Sequence, residues 1–146
     1  MKTALMFCAI VLACVAPAFA DSDDTSAKEV LDLERAAMNG WAKGDPGPAL
    51  AVLDPEITFI HSAVGGRING LDAVRAQFEQ YRGRPLFDSY EIVDPKIQLT
   101  GDAAILSYVL VQHVGDTSSR WHGTEVYQRK ANDWRVIHAH WSEDKK

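Results

Sequence analysis

The chain has 146 residues, 47% of them apolar and 24% charged, with a formal net charge of −5 at pH 7. That length suffices for one domain with its own core, and an acidic chain without a basic stripe argues against nucleic acid as a partner. Both cysteines, Cys8 and Cys14, fall within the first twenty residues, so a chain that sheds them has no disulfide, thiolate nucleophile or cysteine-held metal.

Those twenty residues read as a secretory signal peptide. Lys2 supplies the positive start, 4–15 is an apolar run too short to span a bilayer, and Ala18-Phe19-Ala20 is a small-x-small cleavage site before Asp21. Export to the periplasm or outside is expected, with no membrane partner beyond export. Val11-Leu12-Ala13-Cys14 loosely matches a lipoprotein box, so a lipid anchor on Cys14 is the alternative. The expected layout is a signal peptide over 1–20, a polar lead over 21–26 and one domain over 27–146.

Ser26 and Glu29 have capping-box spacing and open a predicted helix with Val30, Leu33, Ala37 and Trp41 on one stripe. Gly44 closes it, and Asp45-Pro46 starts a short second helix through Ala49, Leu50 and Leu53. Residues 57–61 form a compact strand followed by a Gly65-Gly66 turn. Gly70 precedes a third helix with Leu71, Val74, Phe78 and Tyr81 on one side, ended by 83–85.

From there the pattern switches to period two. Strands are expected over 90–99, 103–114, 120–130 and 134–142, with Gly101-Asp102, Gly115-Asp116 and Asn132-Asp133 as hairpin turns. Helices first and a meander last is an α+β layout: three N-terminal helices packed on a strongly curved antiparallel sheet. The segment 103–111 is apolar on both faces, and the helices can cover only one. A second copy covering the other makes a homodimer or larger homo-oligomer; a tolerated surface of Val109 and Val111 is the alternative.

The tail from Trp134 to Ser142, with Gly44-Asp45 after the first helix and Gly70 before the third, resembles the nuclear transport factor two-like superfamily. SnoaL-like domains and the calmodulin-dependent kinase association domain are the relatives it suggests, and 139–143 also resembles the last strand of ketosteroid isomerase. The resemblance implies a cone-shaped fold around a pocket, with no metal and no cofactor; it says little about function, because this superfold hosts isomerases, cyclases, hydrolases and non-catalytic modules. By resemblance to ketosteroid isomerase, His61 stands where the general-base Asp would be and Glu125 where the protonated oxyanion-hole Asp would be. The isomerase's helical Tyr corresponds to Ala37, and Trp141 to a pocket aromatic. The three arginines of the kinase association domain correspond to Leu110, Glu125 and Trp141, so its anion pocket is not reproduced.

Strand parity gives a pocket independently. Tyr108, Leu110 and Gln112 share one face, Glu125 and Tyr127 another, and Ile137, Ala139 and Trp141 a third. With Trp41, Phe59 and Phe78, which as core aromatics border the same space, these residues make a largely apolar pocket suited to a small organic molecule. A carboxyl at Glu125 among Tyr and Trp would hold its proton and act as an acid; the alternative is an exposed carboxylate paired with Arg120 or Arg135. His61 ends an apolar strand and could act as general base, or be a loop-edge histidine bonded to backbone near Ser62. His138-x-His140 has zinc-like spacing, but no acidic or sulfur ligand completes a set. With no Ser-centred elbow or dinucleotide fingerprint, the expectation is a cofactor-independent isomerase, cyclase or hydratase type, against a non-catalytic binding or assembly module.

Overall fold

The computed structural model describes residues 19–145; residues 1–18 of the signal peptide expected over 1–20 lie outside them. In chain order the elements are α1 (Phe19–Trp41), α2 (Gly47–Val52), β1 (Leu53–His61), a 3-10 turn (Ser62–Val64), β2 (Gly66–Asn69), α3 (Leu71–Phe78), a second 3-10 turn (Glu79–Tyr81), β3 (Ser89–Thr100), β4 (Ala103–Val114), β5 (Thr117–Lys130) and β6 (Asp133–Glu143). The strands form one curved sheet in the order β2-β1-β6-β5-β4-β3. All neighbours are antiparallel except β1 and β6, which run parallel. No described helix is long and apolar enough to cross a membrane.

The helices occupy the concave side, where Val30 of α1, Ile57 of β1, Val74 of α3 and Leu106 of β4 are buried together. On β4 the alternation is strict: Ala104, Leu106, Tyr108 and Leu110 are buried inward, whereas Ile105, Val109 and Val111 are half-buried outward. The outer face is therefore partly open within a single chain.

Several expectations shift. α1 begins at Phe19, so Ser26 lies inside the helix; its hydroxyl accepts from Arg129 Nη2 at 2.9 Å instead of capping. Leu53 is extended and begins β1, as the proline at 55 favours for the residues before it. β2 is an additional strand pairing with β1 beyond the 3-10 turn. On β6 the pairing slips by one residue between Val126 and Tyr127 of β5, which meet His138 and Val136. Ile137 is the extra residue of that bulge, so Val136, not Ile137, shares the inward face with Ala139 and Trp141.

Gly44 holds α1 against the turn before β3. Its φ is +70°, and a Cβ there would lie 2.6 Å from the backbone nitrogen of Arg84, so neither the conformation nor the space admits a side chain.

Asp54 is a buried carboxylate in β1. Oδ1 accepts the Glu56 N–H at 3.0 Å, and Oδ2 meets the Lys130 ammonium at 2.5 Å in an ion contact without an aligned hydrogen bond. Burial pushes this carboxyl up, but Lys130 and the Glu56 N–H together outweigh it and hold it below its ordinary value. Lys130 is half exposed, which limits the pair's worth, so Lys130→Met is expected to cost about 1–2 kcal/mol at pH 7. A depressed carboxyl contributes stability that is present above its ordinary value of 3.8 and lost as pH falls through its folded value. The gap between wild type and Lys130→Met in urea unfolding should accordingly close in acid; a gap that stays constant to pH 2 would show Asp54 is not the partner.

Candidate functional site

Between the helices and the concave sheet lies a cavity of about 290 Å³. Much of its wall is a continuous arc of rings. Tyr81 meets Trp41 (6.4 Å), Trp41 meets Phe78 edge-on (4.9 Å), and Phe78 meets Phe59 (5.2 Å). Phe59 stacks on His61 (6.0 Å, 19° between planes), and His61 lies 4.8 Å from Trp121. Trp141 closes the far side, edge-on to Tyr108 at 5.3 Å. These rings converge because β1, β5 and β6 each turn alternate residues inward while α1 and α3 each bring one face across.

The polar floor contains a residue that the sequence reading passed over. Glu34 of α1 is 2% exposed, with Val30, Ala37, Met38 and Trp41 on the same helical face. Tyr108 donates its hydroxyl to Glu34 Oε1, and the Tyr127 hydroxyl lies 3.2 Å from Glu34 Oε2 and 2.7 Å from Glu125 Oε2. Glu125 is 9% exposed and also hydrogen-bonds Glu34. The alternative surface pairing of Glu125 with Arg120 or Arg135 does not occur: Arg120 faces Asp144, and Arg135 faces Asp133 and donates to the Ala51 carbonyl.

Proton bookkeeping follows from this geometry. A tyrosine hydroxyl has one hydrogen, so Tyr127 cannot donate to both carboxyls. The network accommodates both carboxyls when Glu125 is protonated: Tyr108 donates to Glu34, and the Tyr127 hydroxyl lies between the two. The electrostatics agree. Burial, then the Glu34 carboxyl, push Glu125 well above the usual carboxylate range, and hydrogen bonds from Tyr127 and Trp141 do not offset them. Burial and the two carboxyls also raise both tyrosines, which keeps their hydroxyls protonated. The buried Glu125 carboxyl therefore keeps its proton.

At the wall, His61 Nδ1 accepts the Ala63 N–H at 3.1 Å. Burial lowers the imidazole below its ordinary value, so the ring is neutral at pH 7 and carries its proton on Nε2. The backbone bond foreseen for a loop-edge histidine and a place on the cavity wall thus occur in one residue.

Of the residues singled out from sequence, His61, Glu125, Trp41, Phe59, Phe78, Leu110, Gln112 and Trp141 border this one cavity. Tyr108 and Tyr127 do not: they stand behind the carboxyls that their hydroxyls engage, buried with no wall surface. Trp121 and Tyr81 are also on the wall. His138 bonds Thr58 Oγ1 at 2.7 Å on the outer side, His140 is exposed, and no metal-holding cluster occurs among the described residues. The signal for Glu34 was present in the sequence: an acid at the fourth position after Val30 and three before Ala37, on the stripe that must face the sheet.

Helices in the hollow of a curved six-stranded sheet, with a pocket between them, define the nuclear transport factor 2-like fold. Residues 26–145 match the family of the calcium/calmodulin dependent protein kinase II association domain, and the chain belongs to it. The calcium/calmodulin-dependent protein kinase type II alpha chain of Drosophila melanogaster is 25% identical over 121 residues; the match covers 77% of this chain and only 23% of the kinase. A provisionally assigned ketosteroid isomerase from Parabacteroides distasonis superposes with a TM-score of 0.72 and 27% identity, covering 80% of this chain and 86% of that one. The S. rosetta CaMKII hub gives 0.66 and 27%, covering 80% and 95%.

Proposed function

We propose that the protein is an exported pocket domain that binds a small, mostly apolar organic molecule and exchanges a proton with it through Glu125 and Glu34. The observation that carries this reading is a pair of buried acids, Glu34 and a protonated Glu125, at the floor of an aromatic-walled cavity. Glu125 is the acid, Glu34 the conjugate acceptor, and the Nε2–H of neutral His61 a donor at the wall; this is the equipment of cofactor-independent isomerase, cyclase or hydratase chemistry. The likeness to a provisionally assigned ketosteroid isomerase supports it.

The second reading is a non-catalytic association module. It is favoured by the family and by the half-buried Ile105, Val109 and Val111 on the outer sheet face, which suit a homodimer or larger homo-oligomer.

Native mass spectrometry of protein purified from its own host tests both. The expected result is an oligomer carrying a released small-molecule mass, on a chain whose N-terminus is Asp21. An oligomer with no bound mass, and no turnover loss in Glu125→Gln, would leave the association reading; a chain retaining Cys14 with an added lipid would replace free export by anchoring.

A further inference from the structure

The cavity is acidic as well as aromatic. Among the described residues no Lys or Arg borders it, and the groups that act most strongly on Glu125 are Glu34, Tyr127 and Trp141. The one basic side chain on the wall, His61, is kept neutral by burial. An anionic ligand would meet two acidic side chains with no counter-charge, which is a desolvation cost with no return. A neutral ligand would bring no charge to them. An ammonium would do something neither can: supply the missing positive charge and donate N–H bonds to oxygens of both carboxyls. The surrounding rings Trp41, Phe59, Phe78, Trp121 and Trp141 offer π-faces and edges to the rest of such a molecule and to the cation itself.

We infer that the cavity takes a protonated amine on an aromatic or aliphatic body, its ammonium seated between Glu34 and Glu125 in exchange for the proton on Glu125. This rests on the pocket reading above and names its ligand class. The step balances: R–NH3+ enters with its charge intact, Glu125 releases H+ to solvent, and the complex holds two carboxylates beside one ammonium. No bond other than the Glu125 O–H is broken.

The test uses three molecules of one shape on the whole protein: 2-phenylethylamine, 2-phenylethanol and phenylacetate, followed by isothermal titration at pH 7 in two buffers of different ionisation enthalpy. The amine is expected to bind with release of about one proton per site, at least ~10-fold tighter than the alcohol, with the acid weakest of the three. In Glu125→Gln the amine should still bind through Glu34, but with no proton released, a signature that a merely structural role for Glu125 would not move. Should the alcohol bind as tightly as the amine, or the amine bind without proton release to wild type, the ligand class is overturned while the pocket reading stands. Should none of the three bind, both fall.

Discussion

Glu125→Gln is expected to make the protein more stable, by an amount that grows with pH. In wild type the folded chain holds a proton on Glu125 that the unfolded chain gives up near its ordinary value of 4.5. A carboxyl whose folded value is raised contributes stability that is complete below 4.5 and is lost as pH rises through the raised value. Within that window folding takes up one proton, and the free energy falls by about 1.4 kcal/mol per pH unit from this group. Glutamine keeps the shape, still bonds Tyr127 and Glu34, and has no proton to lose. Urea unfolding of both proteins at pH 5, 6, 7 and 8 should therefore give difference values rising by about 1.4 kcal/mol per unit until the pair ionises fully. Parallel profiles would mean that Glu125 is ionised in the fold, and the acid assigned to it would be gone.

Gly123→Ala should be among the most damaging single-methyl changes in the chain. Gly123 on β5 lies directly across from Trp141 on β6, and the indole lies over its Cα. A Cβ at this glycine would come within 2.8, 2.9 and 3.2 Å of three indole ring carbons. Trp141 cannot retreat freely: it is buried and edge-on to Tyr108. The methyl must either strain the β5–β6 pairing or push the ring into the cavity, at about 2–3 kcal/mol, the upper range for overpacking. Ligand affinity should fall with it, because the displaced indole occupies the ligand's space. Trp141→Phe in the same chain removes the colliding ring and should recover about 1–2 kcal/mol of interaction energy in a double-mutant cycle. Equal stability of wild type and Gly123→Ala in thermal unfolding would refute the contact.

What the sequence revealed and what it hid divide along physical lines. The β4 boundaries and the hairpin turns were readable because Gly101 and Gly115 mark reversals with positive φ between runs of period-two residues. β2 was not, since Gly66-Arg67-Ile68-Asn69 holds a single apolar side chain and no alternation to detect. The slip on β6 moved Val136 inward because pairing with β5, which no local pattern encodes, decides where a bulge falls. Tyr108 and Tyr127 were placed on the correct face but at the wrong depth: parity gives direction, whereas depth depends on what the helices insert, and here it is Glu34. Glu34 itself went unnoticed because an acid on an amphipathic helix ordinarily faces water. Ser26 matched a cap motif that the upstream helix made irrelevant.

The parallel junction between β1 and β6 has a consequence for how the chain acquires its shape. Thr58 and His138 touch across it from positions 80 residues apart, whereas the β3–β4, β4–β5 and β5–β6 pairs each join sequential neighbours. The meander can zip up from local hairpins, but the β1–β2 pair has no further strand to join until the last one is in place, so closure of the hollow is the late, slow event in folding. A ribosome still holding the final dozen residues would hold back the cavity as well, and a chain cut before His138 would be left with an unjoined β1–β2 pair and nothing to enclose.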